Sequence, residues 1–395
     1  LRRTFASMKR HVRTIHLWTG LIFGILLALQ GLTGSILSWR HELDSFLNPG
    51  LLQVAPPAGL RDGDALTVAP GTVRRLADQL ARDPRYGRPS MLMLPERAGD
   101  VFIAWYRPAP GGSAWRQDVT RQVMVDPATL AVTGERNWGE AGLSRPLLMP
   151  TLFHLHRYLM AGDGGKVVVA IEGVALLLSA LTGLVVWWPR LARSAIVAAL
   201  TVRHGGSWPR FSFQLHRTAG FFVAPLFVLS AFSGVYFNMP QWVAPAVAAV
   251  APLSSNGKVV NRSDASARRI APDEAMQAAQ ARVPQGRISR VAFPAKANQP
   301  YEIRMRQPGE LREGDGATRV SIDGGSGEVL RVVDPLRAAG ADRFVNTLFP
   351  LHTGEALGNG GRAFISLYGL TPLAFFVTGL VVWMKFRRKP KKTQD

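Results

Sequence analysis

Four stretches of the chain are apolar almost throughout, and long polar segments separate them in alternation with short basic ones. Residues 17–39 are interrupted only by Gln30 and a few glycines, threonines and serines, which is enough helix to cross about 30 Å of hydrocarbon. The run is longer than the apolar core of a signal peptide. Trp39-Arg40-His41-Glu42 follows it instead of a small-residue cleavage site, so it is expected to stay as a span. Further runs fall within 151–188, 216–239 and 347–384. The pattern predicts four transmembrane helices, with an interfacial segment before the second and before the fourth.

The polar segments carry their own periodicity. In 40–150, residues 68–82 have helical spacing, while 91–94, 101–107 and 122–125 alternate or run apolar like strands. Asp126-Pro127 and Thr133-Gly134 read as turns. In 240–346 the same reading predicts a helix over 272–282 and strands over 288–293, 301–306, 319–322 and 328–333, with a turn at Ile322-Asp323-Gly324.

The chain repeats itself. Residues 151–188 laid without a gap on 347–384 match at 16 of 38 positions, including Thr182-Gly183 through Trp187 on Thr378-Gly379 through Trp383. A second register pairs His16, Gly20, Leu26, Leu29 and Gly34 with His216, Gly220, Leu226, Leu229 and Gly234. Each copy crosses the membrane an even number of times, so the copies are expected to be related by a pseudo-twofold axis along the membrane normal.

Charge adds orientation. The formal net charge is +20. The basic residues gather beside the ends of the apolar runs, in the N-terminus 1–16, the loop 189–215 and the tail 385–395. That is the positive-inside pattern: both termini cytoplasmic, both polar segments outside, and no nucleic-acid partner. The chain has no cysteine, which excludes disulfides, iron–sulfur clusters, thiolate-held metals and c-type haem attachment. A redox cofactor would need other ligands, and histidine is the obvious one.

The repeat sorts the histidines. His16 and His216 precede spans one and three at the cytoplasmic face, and His156 and His352 precede spans two and four at the outer face. A flat metallocycle on the pseudo-twofold axis would take one axial imidazole from each repeat, pairing His16 with His216 and His156 with His352. Gly20, Gly34, Gly220 and Gly234 share the helix face of the inner histidines, where a ring or a backbone approaches closely. His41 is a reserve outer ligand, on the face of His16 if the first helix continues. His154 is a second reserve, although Pro350 replaces it in the repeat. His11 and His204 read as surface residues. Glu172, within span two, is either a functional acid or one that reaches interfacial water.

His16-Leu-Trp-Thr-Gly, Leu155-His156-Arg-Tyr-Leu, Trp187-Trp188-Pro189-Arg190, Leu215-His216-Arg-Thr-Ala-Gly220 and the Asp126 and Asp323 turns resemble the PepSY-associated transmembrane family over nearly the whole chain. The resemblance implies a membrane protein with two α+β PepSY-like periplasmic domains, 40–150 and 240–346. Members include bacterial inner-membrane ferric-siderophore reductases with two b haems. It therefore implies an oxidoreductase with two bis-histidine haems, one near each face, passing electrons from an unidentified cytoplasmic donor to a ferric siderophore for iron acquisition. Two other readings are a non-redox membrane anchor whose PepSY modules bind peptide or protease, and a siderophore transporter.

Overall fold

A computed structural model of the chain describes residues 2–107, 113–189, 191–203, 206–254, 257–264 and 268–387. His204, Arg190 and the basic tail beyond 387 lie outside the described residues. In chain order the helices are α1 (Arg2–Leu37), α2 (Arg40–Leu47), α3 (Pro49–Leu52), α4 (Thr72–Arg82), α5 (Arg145–Tyr158), α6 (Gly162–Trp187), α7 (Arg193–Leu200), α8 (Trp208–Asn238), α9 (Pro240–Val250), α10 (Pro272–Arg282), α11 (Gly340–Thr353), α12 (Gly358–Tyr368) and α13 (Thr371–Arg387). Strands β1 (Met91–Met93), β2 (Phe102–Tyr106), β3 (Thr120–Val125) and β4 (Val132–Trp138) lie in the first polar segment. Strands β5 (Arg287–Ala292), β6 (Tyr301–Arg306), β7 (Thr318–Ile322) and β8 (Val329–Val333) lie in the second.

The chain divides into two units. One comprises Leu1–Ser38, Leu155–Ala244 and Gly360–Asp395, and the other Trp39–His154 and Pro245–Asn359.

The first unit is helical. Ser7–Leu37, Gly162–Trp187, Trp208–Asn238 and Glu355–Lys385 are long and apolar enough to cross a membrane, with mean hydropathies of 1.9, 2.2, 1.8 and 1.9. Large apolar side chains such as Ile22, Ile25, Leu181, Phe222 and Leu367 point outward from these helices, as lipid-facing positions do. This is a membrane protein. α1 and α8 each pack against both α6 and α13, so they stand diagonally across the bundle. Small residues set the closest approaches. A Cβ added to Gly31 would meet the Gly369 carbonyl oxygen, and one added to Gly173 would meet Val235 and the Ala231 carbonyl. The fourth span is broken between Tyr368 and Thr371, where Ser35 and Ser366 exchange side-chain to backbone hydrogen bonds at 2.8 and 3.0 Å.

The second unit is an antiparallel sheet of order β4-β3-β2-β1-β5-β6-β7-β8. The two polar segments, expected as separate domains, share this one sheet because β1 pairs directly with β5, Leu92 opposite Val291. On β6, Tyr301, Ile303 and Met305 alternate with Glu302, Arg304 and Arg306. The apolar set joins Leu92, Phe102, Val123, Val291, Val320 and Ile322 beneath Leu76 and Leu80 of α4 and Ala275 and Ala279 of α10. Burying that face against two helices gives the sheet its core.

The strand expectations hold within two residues at their ends, with one omission. Thr133-Gly134, read as a turn, lies inside β4, and β3 accommodates it with a register shift at Met124/Val125. A buried ion pair ties α2 to β4. Arg136 Nη1 and Nη2 donate to Asp44 Oδ1 and Oδ2 at 2.9 and 2.8 Å, and Nε donates to Gln122 at 2.7 Å. The Asp126 and Asp323 carboxylates close the β3–β4 and β7–β8 turns by accepting backbone amides, Ala128 at 2.7 Å and Gly325 at 2.9 Å.

Candidate functional site

Three of the predicted histidines lie in the helical unit, and all three are held in the same way. His16 on α1 donates through Nδ1 to the Ser179 carbonyl at 3.1 Å and to Thr182 Oγ1 at 3.2 Å. His216 on α8 donates to Thr378 Oγ1 at 3.0 Å. His156 donates to Thr33 Oγ1 at 3.0 Å and to the Gln30 carbonyl at 3.1 Å. Each threonine gives its own hydroxyl hydrogen to the carbonyl one turn back: Thr182 to Leu178, Thr378 to Ala374 and Thr33 to Leu29, at 2.6, 2.7 and 2.8 Å. The threonine oxygen therefore accepts, and for His16 and His156 the carbonyl has nothing to donate. The hydrogen sits on Nδ1, leaving Nε2 with its lone pair, the form in which imidazole binds a metal.

Glycine follows each of these threonines, and the imidazole lies over it. A Cβ built on Gly183 would stand 3.1 Å from Cε1 of His16, one on Gly34 3.1 Å from Cε1 of His156, and one on Gly379 3.4 Å from Cε1 of His216. A Thr-Gly pair is thus a seat for a histidine. Ser233-Gly234 on α8 is the repeat counterpart of Thr33-Gly34, and its Ser233 hydroxyl likewise donates to the carbonyl one turn back, Leu229, at 2.8 Å. The Thr-Gly repeat was legible in the sequence, but its partner was not. Of the glycines expected to pack against a flat ring, Gly34 is occupied by the imidazole itself. Gly20 and Gly234 have open space where a Cβ would go, and Gly220 has Phe375 at 3.6 Å.

Two of these imidazoles meet. The ring centres of His16 and His216, on the diagonal helices, are 6.2 Å apart with planes at 85°. An imidazole nitrogen binds a transition metal at about 2 Å, so two imidazoles on one ion hold their ring centres about 6 Å apart. The His16–His216 spacing is that of two imidazoles sharing one metal ion.

The other expectations sort differently. His352 lies on α11, in the sheet unit, whereas His156 belongs to the helical unit. His41 is not on a continuation of the first span. That helix ends at Leu37, and His41 belongs to α2, its Nε2 3.3 Å from Arg40 Nη2. His154 is buried in the sheet unit, donating to the Pro150 carbonyl at 2.8 Å and packed edge-on against Trp138 and Phe153. His11 bonds to the Ser7 carbonyl at 2.9 Å on an exposed face, as expected. Glu172 does not reach water. It is 1% exposed, and its carboxyl lies beside the Gln30 side chain of α1. At its repeat position Tyr368 donates to Ser230 at 3.0 Å.

No curated protein matches the chain in sequence. A family model does: the PepSY-associated TM region matches residues 13–385, nearly the whole chain, and the protein belongs to that family.

Proposed function

We propose that this protein is a di-haem b electron-transfer protein of the bacterial inner membrane that reduces ferric siderophores at the periplasmic face. The observation that carries the reading is the His16–His216 pair, facing across diagonal helices with both Nδ1 atoms committed to threonines. The two imidazoles would hold a haem iron through the Nε2 atoms that this leaves free. A haem held there by His16 and His216 would supply one-electron transfer.

His16 and His216 would hold the inner group. His156, seated on Thr33-Gly34, would hold the outer one with His352, its counterpart in the repeat. The threonines fix tautomer and ring orientation, and the apolar helices keep water from the ligands. Siderophores hold Fe(III) through hard oxygen atoms, and one electron from an unidentified cytoplasmic donor converts the metal to Fe(II), which such ligands hold more weakly.

The absorption spectrum of the purified full chain tests this reading. A Soret band with sharp bands on reduction is expected, and a colourless preparation after expression with adequate haem would overturn it. His216→Ala and His352→Ala should each remove one haem and spare the other. Loss of both by either change would refute the pairing.

A further inference from the structure

One row of side chains runs straight across the sheet, on the face away from α4 and α10. In register it reads Met124, Ile103, Met93, Arg290, Arg304, Arg319. The first module contributes the apolar half, covered by its own Leu51, Leu52 and Val54. The second module puts three arginines directly opposite one another. Like charges in that arrangement destabilise a sheet. The fold does not require them, because the first module builds the same row from two methionines and an isoleucine.

The arginines are under-neutralised. Among the described residues the row's ion pairs are those of Asp315, which contacts Arg290 closely and lies 3.7 Å from Arg304. Arg319 has no ion-pair partner among the described residues. Arg312, in the β6–β7 connection, lies over the Phe349 ring at 4.0 Å, with Asp315 and Glu355 the carboxylates that act on it. The next row places Arg287 opposite Arg306, and Glu96 bridges both at 3.0 and 3.4 Å. Glu302, on the same face, is turned to the Ser321 hydroxyl at 2.5 Å. Arg290 Nε is buried with no hydrogen-bond partner among the described residues. Burial, with Arg312 and Arg290 nearby, brings the Arg304 pKa down to about 10 despite Asp315, so the guanidinium remains charged at neutral pH.

We propose that Arg290, Arg304, Arg319 and Arg312 form a binding site for a carboxylate-rich anion, and that the iron(III) chelate this protein reduces is of the anionic hydroxycarboxylate class. Planar guanidinium forks match carboxylates two bonds at a time, which a flexible ammonium does not. A cationic or neutral tris-hydroxamate chelate gains nothing from such a row. The choice of substrate class rests on the reductase reading, whereas the anion site does not.

Isothermal titration of the full chain in detergent with citrate, ferric citrate, inorganic phosphate (standing in for a lipid headgroup) and a ferric tris-hydroxamate tests it. Citrate and ferric citrate are expected to bind at one site and compete. Arg304→Gln and Arg319→Gln should each weaken both by about tenfold. Arg319→Lys should recover only part of that loss, with far-ultraviolet circular dichroism unchanged throughout. Unaltered affinity in the glutamine variants, phosphate binding as tight as citrate, or the tris-hydroxamate as the tightest ligand would overturn the proposal. Heat of binding needs no haem, so a colourless protein that still binds citrate would sink the reductase reading and leave the anion site standing.

Discussion

Thr182 accepts the Nδ1 hydrogen of His16 while its own hydroxyl is spent on the Leu178 carbonyl, so one short side chain decides which imidazole nitrogen is left for a metal. The same geometry joins Thr378 to His216 and Thr33 to His156. A threonine at this position would act on a ligand histidine without itself touching the proposed haem. Thr378→Val keeps the shape, removes the acceptor and frees the tautomer. Supporting partners of metal-bound histidines are worth roughly 10–100-fold in affinity or activity. Thr378→Val is expected to lower haem occupancy at the inner site and to spare the outer one, read from reduced-minus-oxidised spectra.

The glycines under the imidazoles make a second prediction. A valine at Gly183 or Gly379 would drive carbon into Cε1 of His16 or His216, at a cost of about 1–3 kcal/mol for overpacking. Gly183→Val should displace the inner ligand, and Gly34→Val the outer one. Gly50→Ala, in the sheet unit, should be silent, since a Cβ there meets nothing within 4 Å. Haem content per chain, measured after denaturation, separates the three.

The Arg136–Asp44 pair, with side chains 3% and 10% exposed, should dominate the anchoring of α2 on the sheet. Removing one partner leaves the other charge buried alone, which typically costs 3–5 kcal/mol, roughly speaking. Asp44→Ala is expected to lower the unfolding midpoint of the sheet unit strongly. Replacing both partners with apolar residues should restore much of it. Equal losses in the single and double variants would show that the pair is not coupled.

Asp323 gives the sheet unit a pH dependence. Burial alone would raise its pKa. Hydrogen bonds from the Ser263 hydroxyl and from the amides of Ser326, Ser263 and Gly325 outweigh burial and hold the carboxyl well below the usual carboxylate range. The folded pKa is lower than the unfolded one. The stabilisation is therefore complete above about pH 4, the unfolded value, and is lost as pH falls toward the folded value. Hydrogen exchange in β7 and β8 should accelerate with acid in the native chain, and Asp323→Asn should be faster at neutral pH and flatter with pH.

Much of this architecture is readable from single residues, and the exceptions have physical causes. Strand β6 was legible because Tyr301, Ile303 and Met305 alternate with polar neighbours, the pattern of one buried face. Strand β4 was not, because Thr133-Gly134-Glu135-Arg136-Asn137 offers no apolar alternation. Its order comes from the ladder to β3 and the Asp44 ion pair. The junction of the two modules, Met93 opposite Arg290, had no signal, since a strand edge carries no mark of its distant partner. The end of α1 at Leu37 moved His41 off the face that periodicity assigned to it.

The sequence alone determined the four spans, the internal repeat and the histidines at its matching positions. Those follow from local requirements: a helix in lipid must satisfy its own backbone and present enough apolar length. Only the tertiary structure decided that α1 and α8 stand diagonally, that a threonine and a glycine on one helix seat the imidazole of another, and that a row of arginines closes half of one shared sheet. The histidine contacts join residues well over a hundred positions apart, and the packing of whole elements selects them where no local preference does.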